Sequence, residues 1–175
     1  RHAADRAHAG REQLGLHDAI DRAFSRSLVI DSASLTIPTS VMGVRLGNQA
    51  REILLNEVHL RDDSDRMAHV FVTGDTLRVA VSGEARSPVE DFVFGIGFYT
   101  AEGVSIYGTN TDIEEYVAAD LNGAATVEFA IDSLDLVEGT YKLDVAVHRR
   151  DGAPYDYHRL LYTFRVKSRL KDVGI

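Results

Sequence analysis

Apolar residues recur at every second position along most of the chain. Leu77, Val79 and Val81 form one such set, and Phe92, Phe94, Ile96 and Phe98 form a second. Val127, Phe129 and Ile131 follow, then Tyr141, Leu143, Val145 and Val147, then Leu160, Tyr162, Phe164 and Val166. A period of two places these side chains on one face of a strand. The pattern predicts strands over 51–61, 67–72, 76–85, 91–100, 103–108, 125–131, 140–149 and 158–167. Between them lie Thr73-Gly74-Asp75, Ser87-Pro88, Ala101-Glu102-Gly103, Asn122-Gly123, Glu138-Gly139 and Asp151-Gly152, all turn-forming combinations. Short alternating strands at this spacing predict an all-β, antiparallel sandwich. Each large apolar side chain buried between two such sheets contributes roughly 1.5–3 kcal/mol against the entropy of ordering the chain.

The pattern differs towards the start. Leu16, Ile20 and Phe24 lie at helical spacing, which predicts a modest amphipathic helix over 11–26. Gly10 and Gly15 weaken it, and the reading is a linker helix. Residues 27–52 hold two short apolar runs, Leu28–Ile30 and Leu35–Ile37, and Pro38 discourages a long element there. We therefore expect a linker with a helix over 1–42 and a sandwich over 43–175.

One strand has an unusual second face. In 91–100 the apolar residues alternate with Gly95, Gly97 and Tyr99. Glycine weakens a strand interior unless something approaches the backbone closely. That something is another chain, a packed side chain or a flat ligand. The outward residues of 140–149 are Lys142, Asp144, Ala146 and His148. If the two strands are neighbours, they form a shallow floor with polar and aromatic edges. Tyr99, Tyr107, Tyr155 and Tyr157 supply amphipathic rings near it, which suits stacking on sugars.

Composition narrows the function. The 175 residues are 45% hydrophobic and 26% charged, a globular balance. A formal net charge of −8 argues against a nucleic-acid binder and against a surface that seeks anionic lipid. With no cysteine, disulfides and thiolate chemistry are excluded. No apolar run approaches the roughly 20 residues that span a bilayer. The chain starts at Arg1, and we expect it to be part of a longer protein.

Motifs for catalysis are weak. There is no G-x-x-x-x-G-K-[ST] loop to cradle phosphates. Gly95-Ile96-Gly97 lies inside a strand, so it is not a dinucleotide fingerprint. Asp62, Asp63 and Asp65 resemble the start of a calcium loop but lack its glycine and its distal glutamate. His148 and His158, with Asp144 or Asp156, fit no standard zinc spacing. Asp112, Glu114, Glu115 and Asp120 read as a solvated acidic segment rather than a glycosidase pair. No G-x-S-x-G nucleophile elbow is present.

Two long runs carry a family resemblance: PVEDFVFGIGFYTAEGVSIYGTNT and GTYKLDVAVHRRDGAPYDYHRLLYTFRV. With VRLGNQAREI before them, residues 43–175 resemble the C-terminal domain of Wzt-type proteins. These are the ATP-binding subunits of ABC transporters that export O-antigen and related polysaccharides. The resemblance implies an immunoglobulin-like sandwich that recognises the exported glycan without catalysis. It implies a homodimer that exchanges a terminal strand, with 158–167 or the following tail as the candidate segment. It also implies an upstream ATPase domain holding ATP and magnesium, which would link the chain to the transporter's membrane subunit. The expected location is the cytoplasmic side of the inner membrane. No cofactor is expected in this segment, and no nucleic-acid partner. The expected glycan site comprises Gly95, Gly97, Tyr99, Asn110, Asp144, His148, Arg150 and Tyr155. Asp144, His148, Asn110 and Arg150 would hydrogen-bond the sugar, while Tyr99 or Tyr155 would stack on it. The competing reading is a module that dimerises or regulates the ATPase without touching glycan.

Overall fold

The computed structural model describes residues 26–31, 52–116, 118 and 120–169. Nine strands run in chain order: β1 (Arg26–Asp31), β2 (Ile53–Arg61), β3 (Val70–Val72), β4 (Leu77–Val89), β5 (Val93–Thr100), β6 (Ser105–Asn110), β7 (Leu121–Ile131), β8 (Gly139–His148) and β9 (Pro154–Lys167). They form two sheets, ordered β1-β7-β4-β2 and β3-β9-β8-β5-β6. Every pairing is antiparallel except β3 with β9, which is parallel. The architecture is the β-sandwich that the alternation predicts, of the immunoglobulin-like kind that the resemblance implies. No helix among the described residues is long and apolar enough to cross a membrane.

The inward faces are the predicted ones except in β9, where Leu160 leaves the core and Asp156 and His158 are buried. Leu77, Val79, Val81, Leu143, Val145 and Val147 are all fully buried. Phe164 lies at the centre of the aromatic packing: its ring meets Phe98 edge-on at 5.8 Å and Phe71 edge-on at 6.1 Å, and stacks on Tyr141 at 5.6 Å. Such pairs add about 0.5–1.5 kcal/mol each beyond area burial. Phe92 is only partly buried, because it precedes β5, and packs edge-on against Phe94 at 6.1 Å.

Several boundaries depart from the sequence reading. Ser87-Pro88 and Asn122-Gly123 are not turns between strands; β4 and β7 run through them. The β4–β7 register slips between Ala85 and Val89, so Pro88 sits where it need not supply a ladder N–H. Gly123, at φ +79°, takes a conformation open to glycine. β1 lies in the stretch expected as linker and pairs along β7 from Arg26 opposite Ile131 to Asp31 opposite Thr126. The rest of the expected helix, residues 11–25, and the expected boundary at 42 lie outside the described residues.

Asp151-Gly152 does form the β8–β9 turn. The Arg149 carbonyl accepts from the Gly152 amide at 2.9 Å, and Gly152 has φ +89°. No atom lies within 4 Å of a Cβ built there, so only the backbone would be strained by a side chain. Gly152→Ala is expected to cost about 1 kcal/mol. Thermal unfolding should show this as a drop of about 2–4 °C.

Candidate functional site

The outward face of the β3-β9-β8-β5-β6 sheet carries a cavity of about 340 Å³. That is within the usual size of a small-ligand site. Strand register explains its floor. One cross-strand row runs Asn110, Gly95, Ala146 and Tyr157, and the next runs Gly108, Gly97 and Asp144. Four of these seven positions are Gly or Ala, so the middle of the sheet is bare where β6, β5 and β8 meet. Larger side chains stand around it: Tyr99, Asp144 and Tyr157 on one side, His148 at one end, and Asn110 and Ile113 along β6 and its following turn.

The glycines accommodate neighbours from their own chain. A Cβ at Gly97 would lie 3.1 Å from Cε2 of Tyr99, so the Tyr99 ring leans back over that residue. At Gly95 a Cβ would lie 3.3 Å from the Asn110 Cβ and 3.9 Å from His148 Nε2. The bare backbone is thus partly roofed by Tyr99 and His148, with the cavity between them.

Asp144 anchors the polar wall. It is 4% exposed although it faces outward. A bulge in β9 accounts for this: Leu143 faces Tyr162 and Val145 faces His158, leaving Arg159–Leu161 opposite Asp144 alone. Leu160 takes φ +49° in that bulge, and its amide donates to the Asp144 carboxylate. The hydroxyl of Tyr157 donates to the same carboxylate, and that of Tyr99 converges on the pair. Burial raises the Tyr157 pKa, and the adjoining Asp144 carboxylate raises it further. Tyr99 moves the same way for the same two reasons. Both hydroxyls therefore keep their protons and remain hydrogen-bonding groups.

The opposite wall is set by a turn. Asn110 Oδ1 accepts from the Ile113 amide at 2.7 Å, and the Asn110 carbonyl accepts from the Glu114 amide at 3.0 Å. Thr109 donates to Glu114. Ile113 is left 58% exposed at the cavity rim. An apolar side chain facing polar ones across a shallow floor suits a ligand with C–H faces and hydroxyl edges.

The structure brings six of the eight expected residues together: Gly95, Gly97, Tyr99, Asn110, Asp144 and His148 all line this cavity. Arg150 and Tyr155 do not. The Arg150 guanidinium is 3.7 Å from Asp112, and its amide donates to Asp91. Tyr155 is 6% exposed and belongs to the core, where its hydroxyl donates to the Asp91 carbonyl at 2.9 Å and Arg149 lies over its ring at 5.3 Å. Tyr157, two residues on, is the tyrosine of β9 that reaches the cavity. The register that puts it opposite Ala146 belongs to the β8–β9 pairing and is not visible in either strand's own pattern.

The other candidate constellations are dispersed. His158 is 2% exposed and faces the core, on the other side of the sheet from His148. Asp62 holds Arg66 through Nε at 3.0 Å and Nη2 at 2.8 Å, while Asp65 accepts from Arg61 at 2.9 Å. Among the described residues no three His, Asp or Glu side chains are grouped to hold a metal ion.

Comparison with known proteins places the chain in a family. The Wzt C-terminal domain family matches residues 46–175. The chain belongs to that family. A crystal structure of the C-terminal domain of Wzt superposes with a TM-score of 0.68 at 18% identity, covering 75% of this chain and 82% of that one. At that identity the likeness shows the fold. The CARDB domain of a Pyrococcus furiosus protein in complex with di-metal ions aligns with a TM-score of 0.40 at 11% identity, covering 70% of this chain and 100% of that one. No curated protein matches the chain. Wzt C-terminal domains are non-catalytic parts of ABC transporters in polysaccharide export, and the phosphate-cradling ATPase motif is absent from this sequence.

Proposed function

We propose that this Wzt C-terminal domain binds the polysaccharide its transporter exports, O-antigen or a related cell-surface glycan, in the cavity over Gly95 and Gly97. One observation carries the reading. The sheet is bare at its centre and walled by tyrosines, a carboxylate, an imidazole and an amide, with an apolar rim at Ile113. Sugars present that combination in reverse: flat C–H faces with hydroxyls at their edges. Binding would couple cargo to the ATPase cycle of an upstream domain, on the cytoplasmic side of the inner membrane beside the membrane subunit. Affinity per site should be modest, because sugar hydroxyls exchange water hydrogen bonds for protein ones at little net gain. A homodimer would raise it through avidity.

Titration of the isotope-labelled domain with the cognate polysaccharide tests this by NMR. Shifts should concentrate on Gly95, Gly97, Gly108, Ala146 and Tyr157. Tyr99→Ala should weaken binding about tenfold, the equivalent of about 1.4 kcal/mol, with little change in fold. A domain that only dimerises would show no localised shifts at any glycan concentration.

A further inference from the structure

Resting on that reading of the cavity, we infer that the recognised sugar is neutral or amino-bearing, and that acidic residues such as uronates or phosphate-capped sugars are excluded. The charge of the lining points this way. Among the described residues no lysine or arginine lines the cavity, whereas Asp144 does, with its carboxylate buried in the wall. The cations around it stand outside the lining: Arg150 lies 3.7 Å from Asp112, Lys142 sits one row away opposite Tyr99, and Arg159 is exposed in the β9 bulge, where its charge reaches the Tyr99 hydroxyl. A second anion brought beside Asp144 would meet like charge in a partly dehydrated space.

The test uses the chain with a panel of soluble oligosaccharides of one length. Neutral hexose oligomers, amino-sugar oligomers, uronate-terminated oligomers and oligomers with a terminal phosphate are titrated at one ionic strength. Neutral or amino-sugar members should bind at least about tenfold more tightly than the acidic members. Asp144→Asn, which keeps the shape and an acceptor for the Leu160 amide, should reduce that gap. Equal or preferential binding of the acidic members by the wild-type chain overturns this inference and leaves glycan binding standing. Binding of no member removes the parent reading and this inference with it. If the Asn variant does not fold, the wild-type ratio alone decides.

Discussion

Replacing Asp156 by alanine is expected to destabilise the domain by about 3–5 kcal/mol, because it leaves buried polar groups without their partner. Asp156 is fully buried on the inner face of β9. Its carboxylate accepts from the Leu55 amide of β2 at 3.1 Å, so it ties one sheet to the other. It also accepts from the Tyr157 amide at 3.0 Å and lies 3.7 Å from His158 Nε2. That Nε2 is buried and makes no hydrogen bond among the described residues, while Nδ1 meets the Tyr162 hydroxyl at 2.7 Å. Burial alone would push the Asp156 carboxyl up. The facing His158 and the two amides outweigh it and hold the carboxyl below its ordinary value. The folded state therefore binds this proton less readily than the unfolded chain. Its stabilising contribution is complete above the ordinary carboxylate pKa of about 4, and it is lost as pH falls through the lower folded value. Denaturant unfolding from about pH 5 downwards should show wild-type stability declining and Asp156→Asn declining less steeply. Equal slopes would mean that another group governs the acid limb.

Gly97→Val should abolish most glycan binding while the sandwich persists. Valine suits a strand, so the ladder gains propensity. Its Cβ would nevertheless stand 3.1 Å from the Tyr99 ring, tighter than most side-chain contacts, and its methyls would fill the floor. The Tyr99 ring must give by a few tenths of an ångström, which shifts a wall while the methyls fill the base. Affinity should fall by more than about tenfold, while overpacking costs about 1–3 kcal/mol of stability. Isothermal titration and thermal unfolding of the same sample separate the two effects. Unchanged affinity would locate the glycan elsewhere on the domain.

Most of the fold was legible because a half-buried strand repeats every two residues. The same rule put Gly95, Gly97 and Tyr99 on the outward face of one strand and Asp144 and His148 on that of another, and the β5–β8 pairing joins them. What it could not show were the irregularities of β9. The register slips between Val147 and His148 and again between Leu143 and Val145, so Tyr155 turns into the core and Leu160 bulges outward. Each slip answers to a partner strand, which a local pattern does not contain. Asp156 and His158 add a second disguise, since charged residues on an inner face read as outward ones. The Ser-Pro and Asn-Gly pairs misled for a related reason. Each is a turn signal in isolation, and here each marks a kink within a continuing strand.

The position of β9 in chain order bears on how the domain assembles during synthesis. β9 is the last described strand to leave the ribosome, yet it pairs with both β3 and β8 and reaches back 101 residues to Leu55. Contacts this distant in sequence slow folding to the millisecond-to-second range. Until β9 docks, Tyr157 is absent from the cavity and the core lacks Phe164. A nascent subunit would thus carry a half-built sandwich that cannot yet engage cargo, and competence would arrive with its closing strand.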